Sequence, residues 1–285
     1  MKRQLKMRPS VPRRNHLPAD FGLYVLIALL LSVTALITPL RAQPAPTPDT
    51  AAWSPLLDGV ERRVLPVPGV RFGALTVIRI DPAQVRFSAH YSETPRTVSA
   101  WHDALPDAAL IVNANLFQPD FSLIGLLIDA DGTRYGTPLT RFGGGFYVDA
   151  DGVVSLRYNP DTPYDPDADA AFVTAVQGFP MLVVDGEAVF SATSGDRQTR
   201  RTVIALDDQG RVLLIVAPLF GPRLADLASF LADTGDLGVV HALNLDGGGS
   251  TLLTLPDGTV IPSLDPVPAV LAVTINHASD ESSGE

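Results

Sequence analysis

The chain has 285 residues, a formal net charge of −10 and no cysteine. Its length allows one large domain or two small ones, and the lack of cysteine excludes thiol catalysis, zinc–thiolate sites and a lipid-modified cysteine. Residues 42–285 hold 14 basic and 30 acidic side chains, which excludes nucleic-acid binding through the general electrostatic field.

The N-terminal 40 residues have the pattern of a membrane-directed segment. Residues 1–20 are basic, whereas residues 21–40 (FGLYVLIALLLSVTALITPL) carry no charge. Twenty apolar residues in a helix are about 30 Å long, enough to span a bilayer core, and a basic flank favours the cytoplasmic side. The pattern predicts a transmembrane anchor at 21–40, with a signal peptide cleaved near residue 42 as the alternative. Either way, the rest of the chain is expected in the cell envelope, outside the cytoplasm, membrane-anchored or secreted.

Composition then divides the remainder of the chain. Residues 41–64 form a Pro-rich linker and entry that includes the stretch QPAPTPDT. Residues 65–278 are expected to form one folded domain, which is large enough to bury a core without disulfides. Residues 279–285 are a polar tail.

Short runs rich in Val, Ile and Leu predict a strand-rich domain. The expected strands are 70–80, 84–91, 109–113, 124–129, 143–148, 172–177, 181–185, 201–206, 211–217, 239–245 and 268–275. Apolar residues at helical spacing predict two helices, 97–105 and 223–234, which end at Pro106 and Gly235. Strands interspersed with a few packed helices predict an α+β (mixed α/β) single domain.

Turn signals separate several of these strands. Asp-Ala-Asp-Gly occurs at 129–132 and 149–152, and related sequences occur at 207–210 and 256–258. Asp and Gly tolerate the backbone conformations of tight turns, so these segments predict hairpins. The alternative for the two Asp-Ala-Asp-Gly segments is a calcium loop, although neither is followed by the remaining ligands of an EF-hand.

The segment ALNLDGGGST at 242–251 has the strongest chemical signal. Asn244 and Asp246 are two residues apart and therefore share one face of a strand. Gly247, Gly248 and Gly249 let the backbone turn tightly and direct its N–H groups at a ligand, with Ser250 beside them. No Lys follows, so this is not a phosphate-binding Walker loop. The N–H groups are expected to keep the pKa of Asp246 low. The alternative is a structural bulge.

Three further segments supply candidate polar groups. In VNANLF, Asn113 and Asn115 share a strand face at the end of an apolar run. Arg200 and Arg201 precede a strand in a very acidic domain and form a candidate anion clamp, because guanidinium binds phosphate bidentately. Gln177 precedes a Gly-x-Pro turn in AVQGFPMLVVDGE. The alternatives are polar strand ends and a solvated arginine pair.

Together, these segments resemble the phosphodiester glycosidase family over about residues 65–276. VNANLF is similar to its Asn-Ala-Gly-Phe-Phe block, AVQGFPMLVVDGE to its Gln-x-Gly-Pro-x-Leu-Val-x-x-Gly block, and RRTVIALDDQGRVLLIVA to its Arg-Thr strand and hairpin. The helix at 223–234 and the LNLDGGGS block follow in the family's order. Four departures occur: Asn115 replaces Gly, Leu116 replaces Phe, Phe179 is inserted, and Asp265-Pro266 stands where an Arg is common.

The resemblance implies a hydrolase that cleaves sugar-1-phosphodiesters of envelope or exopolysaccharide glycans. It implies Arg201, with Arg200, as phosphate ligands and Asp246 as the carboxylate facing the sugar carbon, in the role of nucleophile, base or electrostatic stabiliser. Asn113 and Asn244 would orient sugar hydroxyls or Asp246, and the amides of the three glycines would cap an anion or shape the wall of the site. The expected partners are a carbohydrate or sugar phosphate and, through residues 21–40, a membrane.

The rest of the sequence contains no other motif as specific as the LDGGGS segment. Ser250, Asn115 and Gln177 complete the expected substrate-binding set, and no second catalytic carboxylate is named. No cofactor is indicated, although Asp246 could ligate a divalent cation. The alternative function is a non-catalytic polysaccharide-binding or assembly protein of the envelope, which the altered VNANLF block favours.

Overall fold

Short apolar runs form eighteen strands in residues 52–276, the part of the chain that the computed structural model describes. The strands are β1 (Ser54–Leu57), β2 (Val60–Pro66), β3 (Ala74–Ile80), β4 (Val85–Arg96), β5 (Leu110–Asn113), β6 (Leu127–Ile128), β7 (Arg134–Tyr135), β8 (Gly144–Asp149), β9 (Val154–Tyr158), β10 (Phe172–Gly178), β11 (Met181–Val184), β12 (Glu187–Ala188), β13 (Arg201–Asp207), β14 (Val212–Ala217), β15 (Val239–Asn244), β16 (Leu253–Thr254), β17 (Val260–Ile261) and β18 (Val267–Ile275).

The strands form three sheets. The large sheet has the order β1-β2-β3-β14-β13-β15-β11-β12, and two five-stranded sheets have the orders β7-β6-β10-β8-β9 and β17-β16-β5-β18-β4. Within residues 52–276, every pairing between these strands is antiparallel. The domain is therefore mostly β, and the expected mixed α/β character is correct only in its coarser, strand-rich form. Seven of the fifteen pairings join consecutive strands, whose short connections exclude the crossovers that parallel strands need.

Two α-helices lie among the described residues, where the sequence predicts them. Helix α1 (Val98–Ala104) begins after Thr97, whose hydroxyl accepts a hydrogen bond from the Ala100 N–H at 3.3 Å. It packs through buried Trp101, whose indole N–H donates to the Val267 carbonyl at 3.1 Å. Helix α2 (Leu224–Asp233) buries Leu224, Leu227, Ala228 and Leu231.

Strand alternation distributes the core over two faces of the large sheet. On one face, Ile204 joins side chains of all three sheets in the main core. On the other face, Val203 and Ala205 pack with Leu227 and Leu231 of α2. Side chains at successive strand positions point to opposite faces, so the parity of a residue in β13 decides whether it faces the helix or the other sheets.

The four predicted turns all connect hairpin partners, and three share one device. The Oδ1 atoms of Asp129, Asp149 and Asp207 each accept backbone hydrogen bonds from the second and fourth following residues, at 2.8–3.0 Å. These carboxylates stabilise their own turns, as Asp side chains commonly do. Within residues 52–276, no group of three or more acidic or histidine side chains is arranged to hold a metal ion.

The N-terminal boundary of the fold precedes the predicted one. β1 and most of β2 lie inside the segment 41–64 that the sequence assigns to a linker and entry, and β2 pairs with β3 along its whole length. Between residues 52 and 276 no helix has the length and apolar character needed to cross a membrane. The predicted anchor at 21–40 and the tail at 279–285 lie outside the described residues.

Candidate active site

Asn113 joins the central segments of the site. It ends β5, is buried, and donates from Nδ2 to the Asp246 carbonyl at 2.6 Å. Its Oδ1 accepts from the Thr202 hydroxyl at 2.7 Å and from the Leu252 N–H at 3.0 Å. Asn113 therefore contacts the Asp246 segment through the backbone carbonyl, and both hydrogen bonds to its Oδ1 come from within the protein.

Asp246 follows β15 and lies partly exposed at the edge of this network. Its N–H donates to the Ala114 carbonyl at 3.0 Å, and its Oδ1 accepts from the Gly247 N–H at 2.8 Å. Burial raises the pKa of Asp246 to about 6, against the lowering effect of hydrogen bonds from the Ser250 side chain and the Gly247 N–H. The expected low pKa is therefore wrong, because loss of solvation outweighs two hydrogen bonds.

The three glycines shape the site through close packing. The Gly247 N–H binds Asp246, and the Gly248 N–H donates to the Arg200 carbonyl at 2.9 Å. These two amides are already bonded within the protein, so they do not form the expected anion cap. A methyl group at Gly249 would be 2.1 Å from Oδ2 of Asp265. The absence of a side chain at Gly249 thus admits a second carboxylate next to the glycine loop.

The two arginines have different surroundings. Thr202 faces Asn113, so its neighbour Arg201 points to the helix side of the large sheet. There, Arg201 donates to the carbonyls of Arg197 and Pro222, and its Nη2 lies 3.4 Å from buried Asp196. Asp196 in turn accepts from the first two N–H groups of α2 at 2.8 and 3.0 Å. The expectation that Arg201 faces the same site as Asp246 is therefore not met: Arg201 anchors the helix.

Arg200 lies on the side of the glycine loop. Its Nη2 donates to the carbonyls of Thr251 and Pro262, each at 2.7 Å, and Thr251 adjoins the Leu252 N–H that binds Asn113. The buried Nε of Arg200 has no hydrogen-bond partner among residues 52–276. Burial lowers the pKa of Arg200 from its ordinary value, which leaves it charged at neutral pH. Arg200 is thus the arginine with unused donors next to the site.

The remaining predicted amides form the wall behind the site. Gln177 is buried and fully bonded: its Oε1 accepts from the Leu126 and Leu139 N–H groups, and its Nε2 donates to the Leu139 carbonyl and the Tyr147 hydroxyl. Gln177 is therefore structural and does not reach a substrate.

Asn115 and Asn244 are only half satisfied. Asn115 donates to the Leu126 carbonyl at 3.1 Å, and Asn244 donates to the carbonyl of the inserted Phe179 at 2.8 Å. The Oδ1 atoms of both residues, and the Thr251 hydroxyl, are buried without a hydrogen-bond partner in the described chain. Buried polar atoms of this kind normally bind water or a ligand.

An open cleft of about 420 Å³ lies beside Ser250. Its lining combines apolar surfaces with two polar groups: Pro95, Phe117, Phe121, Ser250, Asp265 and Pro266. The Ser250 side chain also lowers the pKa of Asp246, so the carboxylate lies next to the cleft. Sequence reasoning missed Phe117, Phe121 and Asp265 as site residues; the only sequence signal for Asp265 was its departure from an otherwise common Arg.

A family model assigns the chain to a family: the phosphodiester glycosidase model matches residues 107–274, more than half of the chain. The chain belongs to the phosphodiester glycosidase family. No curated protein matches the sequence.

Two solved structures are similar in fold to this phosphodiester glycosidase domain. One is the catalytic domain of zebrafish N-acetylglucosamine-1-phosphodiester alpha-N-acetylglucosaminidase, auto-inhibited by its pro-peptide, with 18% identity and a TM-score of 0.61 over 78% of this chain and 87% of that chain. The other is a hypothetical protein from Synechocystis, with 16% identity and a TM-score of 0.55 over 76% and 62%. At such identities the likeness concerns the fold alone.

The family's glycine-rich block and its first Asn thus meet in this chain. The structure brings together Asn113, Asp246, Ser250 and Arg200, and it adds Asp265, while Arg201 and Gln177 serve the scaffold. For a divalent cation, the carboxylates of Asp246 and Asp265 are donors of the suitable oxygen type, but they do not belong to a metal-holding group within residues 52–276. No step of the proposed chemistry depends on a cation.

Proposed function

We propose that this chain is an extracytoplasmic hydrolase that cleaves sugar-1-phosphodiester bonds of envelope or exopolysaccharide glycans, with Asp246 as its catalytic carboxylate. Family membership supports the reaction class. The observation that carries the assignment is the position of Asp246, partly exposed behind Ser250 at the cleft, with a pKa raised to about 6. A pKa near the working pH suits a group that exchanges protons during catalysis.

The proposed reaction needs a base more than an acid. The bond between the sugar C1 and the phosphate oxygen breaks, and the phosphate monoester leaves with the bonding electrons. Its low pKa makes protonation of the leaving group unnecessary. Water adds to C1, and its proton passes to the Asp246 carboxylate and then to solvent. Asn113 is a positioning residue here, because it holds the Asp246 carbonyl and therefore the direction of the side chain.

Arg200 is the proposed phosphate ligand. Its Nη2 is fixed by two carbonyls of the site wall, which orients the guanidinium group, and its Nε has no hydrogen-bond partner among residues 52–276. A preoriented cation stabilises the charge that develops on the departing phosphate. Phe117 and Phe121 provide apolar surfaces for the sugar or aglycone, and Asp265 provides an acceptor for hydroxyl groups.

A chromogenic sugar-1-phosphodiester tests the proposal on the full chain. We expect release of the chromophore by the wild-type protein and by the Asp131→Asn variant, a matched change on an exposed hairpin turn. The Asp246→Asn variant should bind the substrate and release almost no chromophore. Turnover by Asp246→Asn equal to that of wild type contradicts the assigned carboxylate.

One observation favours the second candidate function, a non-catalytic polysaccharide-binding protein. Asp265 places a negative charge next to the glycine loop, where it repels a phosphodiester. A binding protein for neutral glycans needs no phosphate ligand. Glycan binding by wild type without hydrolysis of any sugar-1-phosphodiester, and with affinity unaffected by Arg200→Gln, supports this second function.

A further inference from the structure

Three large apolar side chains project from two neighbouring loops of the domain. Phe72 in the β2–β3 loop is 70% exposed, and Leu219 and Phe220 after β14 are 63% and 68% exposed. The loops touch, because a methyl group at Gly73 would lie 3.3 and 3.4 Å from the carbonyls of Leu219 and Phe220. We call the three side chains the apolar tip. Clustered exposed apolar groups on loops mark interaction surfaces.

Arginines without acidic partners surround the apolar tip. Arg71, Arg197 and Arg223 are exposed and form no salt bridge with the described residues 52–276, in which six of the fourteen arginines form one. The Arg71 guanidinium lies 5.4 Å from the Phe72 ring centroid. Asp226 is an acidic neighbour that is exposed at this end, where it lies against Gly69.

The loops that carry these arginines are held together. Arg201 of the scaffold donates both to the Arg197 carbonyl, at 2.6 Å, and to the Pro222 carbonyl, at 3.2 Å. Gln198 donates to the Gly69 carbonyl at 3.3 Å. Three positive charges on one tip of a domain that is otherwise strongly acidic complement an anionic surface.

Strand register places the apolar tip and the candidate site at one end of the large sheet. Arg201, which begins β13, pairs with Ala217, which ends β14 immediately before the tip. The Gly248 N–H binds the carbonyl of adjacent Arg200, so the glycine loop lies at this end as well. The opposite end carries the β13–β14 turn, about 20 Å away along seven strand residues.

β1 begins at the same end of the large sheet. It is antiparallel to β2, and Ser54 pairs with Arg62, so the first residue of β1 lies towards the end where β2 runs into the loop of Phe72. The predicted anchor at 21–40 precedes it by about a dozen residues, which can span at most about 40 Å.

From these observations we propose that the apolar tip and its three arginines dock on the surface of an anionic lipid bilayer. The apolar side chains enter the boundary between headgroups and acyl chains, and the guanidinium groups bind the lipid phosphates. Docking turns the glycine loop and Asp246 towards the membrane surface. The proposal concerns orientation and holds whether the site is catalytic or only binds glycans.

The absence of cysteine in the chain makes a direct test simple. A nitroxide label is attached to Phe220→Cys in the full chain, which is reconstituted in vesicles containing about 30% phosphatidylglycerol, an anionic lipid. The matched control is Gln209→Cys in the β13–β14 turn, at the other end of the same strands. We expect the label at 220 to be accessible to oxygen and protected from an aqueous nickel chelate, with an accessibility ratio at least about threefold above that at 209. Phe72→Cys repeats the measurement on the second loop.

Three outcomes overturn the proposal. The first is that the labels at 220 and 72 show the same accessibility ratio as the label at 209. The second is that their oxygen access survives the combined Arg71→Gln, Arg197→Gln and Arg223→Gln changes, which rules out an anionic surface. The third outcome is spin–spin broadening at 220 that vanishes on dilution with unlabelled protein, which identifies a second copy of the chain as the occupant.

Discussion

Replacing Asp246 by Asn should stabilise the protein at neutral pH while it abolishes turnover. Folding raises the pKa of Asp246 from 3.8 to about 6, so the folded state binds its proton more tightly than the unfolded state does. The contribution of this group to stability is complete below pH 4 and is lost as the pH rises through 6. At pH 7 ionisation of Asp246 costs about 3 kcal/mol of folding stability if the whole pKa shift counts. Because the side chain is partly screened by solvent, we take the cost as about 2 kcal/mol.

Asn keeps the shape of Asp246 and removes the charge. We expect the melting temperature of Asp246→Asn to exceed that of wild type by about 4 to 8 °C at pH 7 in a domain of this size, with the advantage disappearing near pH 4. In the same samples kcat should fall at least about 100-fold. Wild-type kcat/KM should rise with pH through about 6, because the ionised carboxylate is the active form. A melting-temperature difference that is the same at pH 4 and pH 7 refutes the reasoning.

Four further changes separate the roles of neighbouring residues. Arg200→Lys keeps the charge but loses the planar fork, and it should lower kcat/KM by about tenfold for a phosphodiester. Arg201→Lys should instead destabilise the fold by about 2 kcal/mol in a denaturant titration through the Asp196 contact, and normal stability with impaired kcat/KM contradicts this assignment. Asp265→Asn should leave stability unchanged and alter KM, because Asp265 is exposed and lines the cleft; an unchanged KM removes it from the site. Asn113→Ala should destabilise the domain by about 3 kcal/mol, because it leaves the Thr202 hydroxyl and Leu252 N–H unpaired.

The long strands and their turns could be predicted because their signals are local. In the hairpin at 207–210 the Asp207 side chain accepts the hydrogen bonds that stabilise the turn. The local sequence is therefore enough to predict the turn. Two-residue strands such as β12 and β16 were missed because so short a run has no measurable period. The entry strands β1 and β2 were missed because Pro-rich composition was extended into residues that pair with β3.

Only part of the candidate site could be predicted from the sequence. Asn113 and Asp246 carry polar signals at strand ends, and they meet. The choice between Arg200 and Arg201 depends on strand parity, which only the contact of Thr202 with Asn113 settles. The pKa of Asp246 depends on burial by distant segments, and Asp265 enters through a close approach to Gly249. Neither is encoded in local spacing.

The bonding of Asn113 has a consequence for the order of folding. Its amide joins β5 to Thr202, Asp246 and Leu252, partners that are 89, 133 and 139 residues away in sequence. Contacts over such separations form late, because closing long chain loops is entropically unfavourable until the intervening strands are in place. Formation of the Asn113 contacts during refolding should therefore lag behind the return of strand signal, and a partly folded chain would lack the assembled candidate site.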